Sequence, residues 1–349
     1  MKKEMLNFAN SKRRLLLYFL FVVFVLVLSV RGVRGAGAFG AKQVRNDFAV
    51  YYTASSALLD GRNPYLVESP EGRRYLYPPL FVLLFAPAAV CGFDVAFLVY
   101  LAVQLLSLFV LLRVSFQLSE PSKRFFSIDE NPLILFVTIL FLWRAFDSDF
   151  ANGQINTLVA ASAILGVFLA LLRRKHIAGG LLLALSVSFK LYTAPLALLF
   201  LRKESLRAVL WTVLGVGLFI IVIPSLFLGR ETNLEYLGTF YNTLLVHYSG
   251  SKAPSVFEAS GQSLWGVFQR IFTKTDASAH SSEPLFLNIT DLPPSVVWYV
   301  YLTFSLAILV YLLVTQKGRG VPIAVALFCC AVVLVVPLAR KAYFVLLTP

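Results

Sequence analysis

Charged residues are scarce in this 349-residue chain: Asp, Glu, Lys and Arg make up only 14% of it, whereas 58% of its residues are hydrophobic. Soluble domains usually hold about 25% charged and about 45–50% apolar residues. The shortage excludes an ordinary water-soluble domain, because so many apolar side chains could not all be removed from water. The composition predicts an integral membrane protein.

Acidic residues are the scarcer charge, with 18 Asp and Glu against 31 Lys and Arg, a net charge of +13. Such a balance can indicate nucleic-acid binding, but here the basic residues sit in short clusters between apolar runs, as in Arg173-Arg174-Lys175 and at Lys317 and Arg319. Clusters of this kind mark cytoplasmic loops under the positive-inside rule. We therefore interpret them as orientation signals and predict no nucleic-acid partner.

Cysteine and histidine are also rare, with three of each. The cysteines lie in or beside apolar runs and the histidines are scattered, so neither a disulfide framework nor a zinc-ligand spacing is present. Asp147 and Asp149 form an Asp-x-Asp pair that could bind a divalent cation. An Asp-x-Asp pair is common by chance, so polar lining is the favoured interpretation, and no cofactor is firmly implied.

Apolar runs fill the chain. A helix needs about 20 mainly apolar residues to cross the hydrocarbon core of a bilayer. The clear candidates are Leu15–Val33, Val95–Leu112, Pro132–Phe146, Ile155–Leu172, Leu206–Leu228, Val296–Thr315 and Val321–Leu338. Two further runs are awkward: Leu76–Val90 is short, and Ile177–Leu201 carries Lys190 and Pro195 near its middle.

Charge predicts the topology. The basic N-terminus is expected in the cytoplasm, so the loop 34–75 and the later polar segment 229–295 are expected outside. The many later apolar runs favour an uncleaved first helix over a signal peptide. Basic loops stay on the inner side only if Leu76–Val90 is re-entrant and Ile177–Leu201 is two half-length helices that meet near Lys190. Irregular backbone at that depth is tolerated only within protein or beside a polar cavity, so Lys190 marks a functional site.

The first external loop contains the pattern of a short helix. Asp47 is predicted as its N-cap, the helix runs from Phe48 to Leu59, and Gly61 stops it. Phe48, Tyr51 and Leu58 suit an amphipathic helix at the membrane surface. The cap and a catalytic role for Asp47 are both open and are compatible with each other.

The same loop carries a family resemblance. The order Asp…Tyr…Ala…Gly-x-Asn-Pro-Tyr…Tyr-Pro-Pro-Leu, from Asp47 to Leu80, resembles glycosyltransferase family 87. Further stretches are similar in the same order: Asn152-Gly153-Gln154-Ile155-Asn156, Gly179-Gly180 through Phe189-Lys190-Leu191-Tyr192, and Gly261-Gln262-Ser263-Leu264-Trp265-Gly266. The resemblance implies an all-α, polytopic transmembrane helical bundle of the GT-C type, a single domain over 1–349 with about eight to ten membrane segments.

The resemblance also implies an activity: inverting transfer of a hexose, typically mannose, from a polyprenyl-phosphate donor to a lipid or glycan acceptor on the external face of the cell (inner) membrane. The family's catalytic aspartate, a general base, falls on Asp47. Arg340 and Lys341 stand in a segment where the family often has tryptophan and histidine, and with Lys190 they are candidate cations for the phosphate. The candidate substrate-binding residues are Tyr51, Tyr77, Asn152, Gln154, Asn156, Lys190, Gln262, Arg340 and Lys341.

Simpler interpretations of these residues stay open: Lys190 as a lysine that reaches to the membrane surface, Arg340 and Lys341 as a helix-end anchor, and Gln262 in a solvated loop. The rival function is a polytopic transporter or lipid flippase, because broken helices and an intramembrane lysine are also transporter features. The sequence contains no Walker loop and no dinucleotide fingerprint, which favours a lipid-linked donor over a nucleotide sugar.

Overall fold

The computed structural model of the protein describes residues 2–40, 46–119, 132–202, 205–248, 261–278, 283–337 and 339–349. In these ranges the regular secondary structure is helical, and the β contacts are the isolated antiparallel bridges Glu68 with Arg74 and Asp276 with Phe286. The predicted all-α class is confirmed. The α-helices, in chain order, are α1 (Lys2–Ala36), α2 (Asp47–Leu59), α3 (Pro79–Val90), α4 (Phe93–Ser119), α5 (Pro132–Ala151), α6 (Asn156–Leu171), α7 (His176–Phe189), α8 (Leu206–Gly217), α9 (Ile223–Leu228), α10 (Arg230–Tyr248), α11 (Leu264–Phe272), α12 (Pro294–Thr315) and α13 (Val321–Val335).

Four stretches of the described chain are long and apolar enough to cross a membrane: Tyr18–Ala36, Phe93–Ser119, Leu206–Leu228 and Pro294–Thr315. At a rise of about 1.5 Å per residue, even the shortest reaches about 28 Å, close to the thickness of the hydrocarbon core. Large apolar side chains such as Leu106, Phe227 and Phe304 are exposed along them. Lipid is the solvent in which that exposure is favourable, so the protein is a polytopic membrane protein.

The predicted break in the 177–201 run is confirmed. α7 ends at Phe189, Lys190 adopts an extended conformation (φ −145°, ψ 118°), and a 3₁₀ segment continues over Leu191–Leu201. Pro195 lies inside that segment and has no N–H with which to continue an α-helical ladder. The other short apolar piece, α3, has 12 residues and reaches only about 18 Å. That length agrees with a segment that dips into the bilayer, and the sidedness of the bundle stays a prediction.

Glycines bring the central helices α6, α7 and α8 together. A Cβ atom added to Gly179 would lie 2.6 Å from the Gly166 carbonyl oxygen, and one added to Gly180 would lie 2.6 Å from that of Ala208. Ser186 of α7 also donates to the Val159 carbonyl of α6 at 2.8 Å. Small residues permit this close approach of backbones, which is how helices pack in membranes. The core that results holds the broken segment and Lys190 in place.

The helix of the first loop differs from the prediction in two respects. Asn46, not Asp47, is the N-cap: its backbone is extended and its Oδ1 accepts from the Phe48 N–H at 2.7 Å, so Asp47 is the first helical residue. The expected position at the membrane surface is also wrong, because Phe48 and Tyr51 are fully buried. Phe48 packs edge-on against aromatic rings of α3 and α4, and apolar residues surround most of the helix. α2 is therefore part of the core.

The two long polar segments, 34–75 and 229–295, touch each other. The rings of Tyr65 and Tyr236 lie 6.0 Å apart, and Asn63 Nδ2 donates to Glu235 at 3.3 Å. Tyr236 and Glu235 belong to α10, a helix that the sequence analysis did not predict. The contact places both segments on the same side of the bundle.

Candidate active site

The start of α2 is held against the turn between α5 and α6. Asn46 Nδ2 donates to the Ala151 carbonyl at 3.0 Å, and the Asp47 N–H donates to the Asn152 carbonyl at 2.8 Å. Gly153 sits beside them with φ +61°, and a Cβ atom there would lie 1.9 Å from Asn46 Oδ1. Only glycine fits this position. The Asn-Gly-Gln-Ile-Asn motif thus contributes backbone that positions Asp47.

The Asp47 carboxylate is partly exposed, at 21%, and forms an ion pair with Arg73, whose Nη1 lies 2.8 Å from Oδ1. Tyr51 follows one turn later on the same face of α2. Sequence reasoning missed Arg73. The available signal was its position in the basic pair Arg73-Arg74 just before Tyr75; of the two, Arg74 pairs with Glu68 instead.

Tyrosines line the region beside Asp47. The hydroxyls of Tyr51 and Tyr77 share a hydrogen bond of 2.9 Å, and the Tyr65 hydroxyl donates to the Tyr77 carbonyl at 2.7 Å. Burial raises the pKa of Tyr65 and Tyr75 well above the usual value for a phenol, so both stay protonated and act as hydrogen-bond donors. The Tyr-Pro-Pro segment is held by these bonds.

Lys190 is partly buried among polar and aromatic side chains. Its Nζ donates to Asn156 Oδ1 at 2.8 Å and lies over the rings of Tyr77 and Tyr343, 5.3 and 5.1 Å from their centroids. Cation–π contacts of this kind are stronger away from water. The carboxylates of Asp47 and Asp149 attract the ammonium, and the guanidinium of Arg340 repels it. The break in the 177–201 run therefore presents a cation to the same region as Asp47.

Asp149 caps α6 from within α5. The fully buried carboxylate accepts five hydrogen bonds: from the Asn156 N–H and Nδ2 at 3.1 and 2.9 Å, from the Thr157 N–H and hydroxyl at 2.9 and 2.6 Å, and from Gln104 Nε2 at 3.3 Å. Asn156 Nδ2 also donates to Gln154 Oε1 at 2.8 Å. Because its amide nitrogen is committed to these two acceptors, Asn156 turns its oxygen toward Lys190.

The Asp-x-Asp pair does not act as a unit. Asp147 forms a bidentate pair with Arg31 of α1, at 2.7 and 3.1 Å, whereas Asp149 faces α6. The described residues contain no group of three or more His, Cys, Asp and Glu side chains arranged to hold a metal ion. The two carboxylates therefore join α5 to α1 and to α6, and their role as polar lining stays a prediction.

The other candidate residues divide between the site and its rim. Gln154 and Asn156 are buried beside Asp149, whereas Asn152 is exposed and contributes its backbone carbonyl. Gln262 is exposed, and its N–H donates to the Ala339 carbonyl at 2.8 Å, which brings α11 to the C-terminal segment. Arg340 and Lys341 are exposed in that segment, and Arg340 lies near enough for its charge to repel the Lys190 ammonium.

Comparison with known protein families decides the class of this site. Residues 75–338 match glycosyltransferase family 87, which is more than half of the chain. The chain belongs to glycosyltransferase family 87. This family 87 protein is therefore a membrane glycosyltransferase, which decides against the transporter alternative. Searches of curated proteins and of solved structures each found no match.

The family 87 match includes Tyr77, the 152–156 motif, Lys190 and Gln262, and it begins after Asp47 and Tyr51 and ends before Arg340 and Lys341. The role of Asp47 accordingly rests on its surroundings: a partly exposed carboxylate at a helix start, with two cations and a tyrosine pair beside it. The match itself supports the enzyme class.

Proposed function

We propose that this family 87 enzyme transfers a hexose, mannose in the first instance, from a polyprenyl phosphate to a hydroxyl group of a lipid or glycan acceptor, with inversion. The observation that carries the proposal is the convergence of Asp47 and Lys190 on Tyr77. Tyr77 bonds to Tyr51, one turn from Asp47, and its ring lies under the Lys190 ammonium. A base and a cation from distant parts of the chain thus border one region.

The two charges suit the two ends of the reaction. Asp47 takes the proton of the acceptor hydroxyl, whose oxygen forms the new bond to the anomeric carbon of the sugar. The bond from that carbon to the phosphate oxygen breaks, and the electron pair leaves with the polyprenyl phosphate. Lys190, with Arg340 and Lys341 at the rim, stabilises the negative charge of the leaving phosphate. The proton on Asp47 then passes to solvent.

Arg73 has a second role in this scheme. Its guanidinium is bonded to Asp47 Oδ1, the carboxylate edge that the acceptor hydroxyl would approach. Binding of the acceptor therefore displaces Arg73 from that oxygen. The released guanidinium, which presents several N–H donors in a plane, can then bind the donor phosphate. In this way the ion pair keeps Asp47 neutralised until both substrates are present.

The orientation follows from the charge distribution. We expect the N-terminus in the cytoplasm because it is basic, and the site after the first span is then on the external side of the cell membrane. A donor with a polyprenyl chain can reach that side within the bilayer. Lipid-exposed spans around the bundle support entry of such a donor from the side.

A transfer assay with matched variants tests the proposal. Purified wild type, Asp47→Asn and Asp60→Asn are supplied with labelled polyprenyl-phosphate-mannose and a membrane extract as the acceptor source. Asp60 is the control because it is an exposed carboxylate paired with Arg62 at the other end of α2. Asp47→Asn is expected to lower transfer by about a hundredfold or more, as loss of a general base does, and Asp60→Asn to leave it near the wild-type level. Equal product from Asp47→Asn and wild type would overturn the assignment of the base.

The donor and the role of Arg73 need separate arms. Transfer from a nucleotide sugar but not from the polyprenyl phosphate would overturn the donor class, and a preference for another labelled hexose would overturn mannose. Arg73→Ala is expected to raise the KM for the donor, whereas Arg74→Ala, which removes the exposed pair with Glu68, is expected to change it little. A donor KM that is equal in the two variants would contradict the role of Arg73.

A further inference from the structure

Between α11 and α12 the chain exposes a group of large apolar side chains outside every candidate span. Leu285, Phe286, Leu287 and Ile289, here called the apolar strip, are between 47% and 84% exposed. Singly exposed apolar residues are ordinary on protein surfaces. Four such residues within five positions, in a segment that is otherwise polar, form a contiguous apolar patch. Exposure of such a patch to water is unfavourable, which indicates that it contacts a partner.

The backbone of the apolar strip is well anchored. Leu285 pairs with the opposite side of its hairpin, where its carbonyl accepts from the Ala277 N–H at 2.7 Å and its N–H donates to Asp276 at 2.9 Å. The Ile289 N–H donates to the Ile271 carbonyl, at the end of α11, at 2.8 Å. Because the main chain is held on both sides, exposure of the strip is a property of the fold.

The strip lies beside the start of a membrane span. α12 begins at Pro294 and carries Tyr299 in its second turn, 68% exposed, as is typical of aromatic residues at the boundary between headgroups and acyl chains, whereas Tyr301 is buried against α11. α11 is fixed against this end of α12 by the Trp265–Trp298 and Phe268–Phe304 ring contacts. The hairpin therefore leaves α11 and joins α12 at the level of that boundary.

We propose that the apolar strip inserts into the headgroup–acyl boundary of the phospholipid leaflet beside α12. The strip continues the lipid-exposed surface of the span, on which Tyr299 and Phe304 are exposed. Membrane-surface segments of this kind bury apolar side chains a short distance into the leaflet while their polar residues stay in water.

The charges around the strip indicate that burial of apolar surface, and not attraction to charged lipid, drives the insertion. Its described neighbours include one lysine, Lys274, whose ammonium lies 5.8 Å from the Phe286 ring centroid, and three acidic residues. Two of these, Asp276 and Asp291, accept backbone N–H groups of the hairpin. A segment with more acidic than basic residues gains nothing from an anionic lipid surface, so the strip should bind zwitterionic lipid equally well.

Contacts at the two ends of α11 connect the strip to the C-terminal segment. The Ile289 N–H donates to the Ile271 carbonyl near the end of α11, and the N–H of Gln262, two residues before α11 begins, donates to the carbonyl of Ala339, the residue before Arg340. Insertion of the strip would hold this end of the protein at a defined depth in the leaflet. The inference concerns lipid contact alone and does not depend on the proposed transfer reaction.

Photo-crosslinking in a bilayer tests the inference. The full chain, with the photoreactive residue p-benzoyl-phenylalanine in place of Phe286, is reconstituted into nanodiscs of phosphatidylcholine and irradiated, and lipid adducts are counted by intact mass. The same residue at Phe304, on the exposed face of α12, is the positive control, and at Asp60, in an exposed polar turn, the negative control.

The yield of lipid adduct at position 286 is expected to be close to that at position 304 and at least about tenfold above that at position 60. Replacement of Leu287 in the same way repeats the test without disturbing the Lys274 contact with Phe286. A yield at both 286 and 287 as low as at 60 would overturn the inference, as would adducts to a second copy of the chain in place of lipid. Adducts that require anionic lipid would overturn its apolar origin.

Discussion

Substitution of the two aspartates of the Asp-x-Asp pair separates a structural cap from a metal site. Asp149 is fully buried and accepts five hydrogen bonds, whereas Asp147 forms one ion pair with an Arg31 side chain that is 53% exposed. Asp149→Asn and Asp147→Asn change the same chemistry two residues apart. They are therefore matched variants with different predicted outcomes.

The magnitude for Asp149→Asn follows from the donors that face it. If the new NH₂ group replaces Oδ2, the Thr157 N–H loses its acceptor; if it replaces Oδ1, the Asn156 N–H does. A buried, unsatisfied donor costs about 1–3 kcal/mol, and the lost charge weakens the other bonds, so we expect a decrease of about 3 kcal/mol in the free energy of unfolding. The exposed pair of Asp147 contributes about 0–1 kcal/mol.

Thermal unfolding of the purified variants in detergent measures the difference, with transfer activity as the second readout. Asp149→Asn is expected to lower the Tm by several degrees and to reduce transfer, because the loss of the negative charge weakens the bond from Asn156 Nδ2 that turns the amide oxygen toward Lys190. Asp147→Asn is expected to stay near wild type in both. Equal loss in the two variants, or recovery of either by added Mg²⁺ or Mn²⁺, would refute the capping argument.

Three further predictions concern other parts of the chain. Lys190→Met removes the ammonium held by Asn156 and two tyrosine rings, and is expected to lower transfer about ten- to a hundredfold, the equivalent of one charged hydrogen bond. Lys175→Met, at the exposed start of α7, is the control. Similar losses of transfer in both variants would contradict the assignment of Lys190 to the site. Gly179→Ala brings a methyl group to 2.6 Å from the Gly166 carbonyl and is expected to destabilise the protein by about 1–3 kcal/mol in thermal unfolding, whereas Gly238→Ala, with open space at the added Cβ, should be neutral or stabilising. Backbone N–H groups of Ser278 and Leu285 lower the pKa of Asp276, so its contribution to the hairpin is present above the pKa of the unfolded chain and is lost as the pH falls through the lower, folded pKa. Hydrogen exchange should therefore show less protection in Asp276→Asn than in wild type at neutral pH and equal protection at low pH, and a difference that persists in acid would contradict it.

Much of the architecture was predictable because membrane insertion imposes long apolar runs. The predicted span over 206–228 coincides with α8, a π-helical turn (Leu218–Val222) and α9, and the predicted span from Val296 to Thr315 differs from α12 by two residues. The break at Lys190 was predictable as well, since a lysine and a proline inside an apolar run are costly unless the backbone changes there. These features depend on local composition.

The wrong or missing predictions concern contacts between parts of the chain that are distant in sequence, which a local pattern does not show. The spacing of Phe48 and Tyr51 suggested a helix at the membrane surface, but α3 and α4 enclose it, and no local signal shows which helices surround a loop. Arg73 was missed because its partner lies 26 positions away in the chain. The Asp-x-Asp spacing left polar lining and a metal site open, and it did not show that α5 directs the two carboxylates to different helices, α1 and α6, because residues two positions apart point to opposite faces of a helix.

The sequence by itself determined that this protein is an all-α membrane protein, where its apolar helices run, and that it resembles glycosyltransferase family 87, because hydrophobicity and motif order are properties of the linear chain. The tertiary structure decided which polar groups meet. It placed Arg73 on Asp47, gave Asp149 to the cap of α6, and set Lys190 between Tyr77 and Tyr343. In a low-dielectric interior each buried polar group must find a partner, and only the packing of the helices determines which partner is within reach.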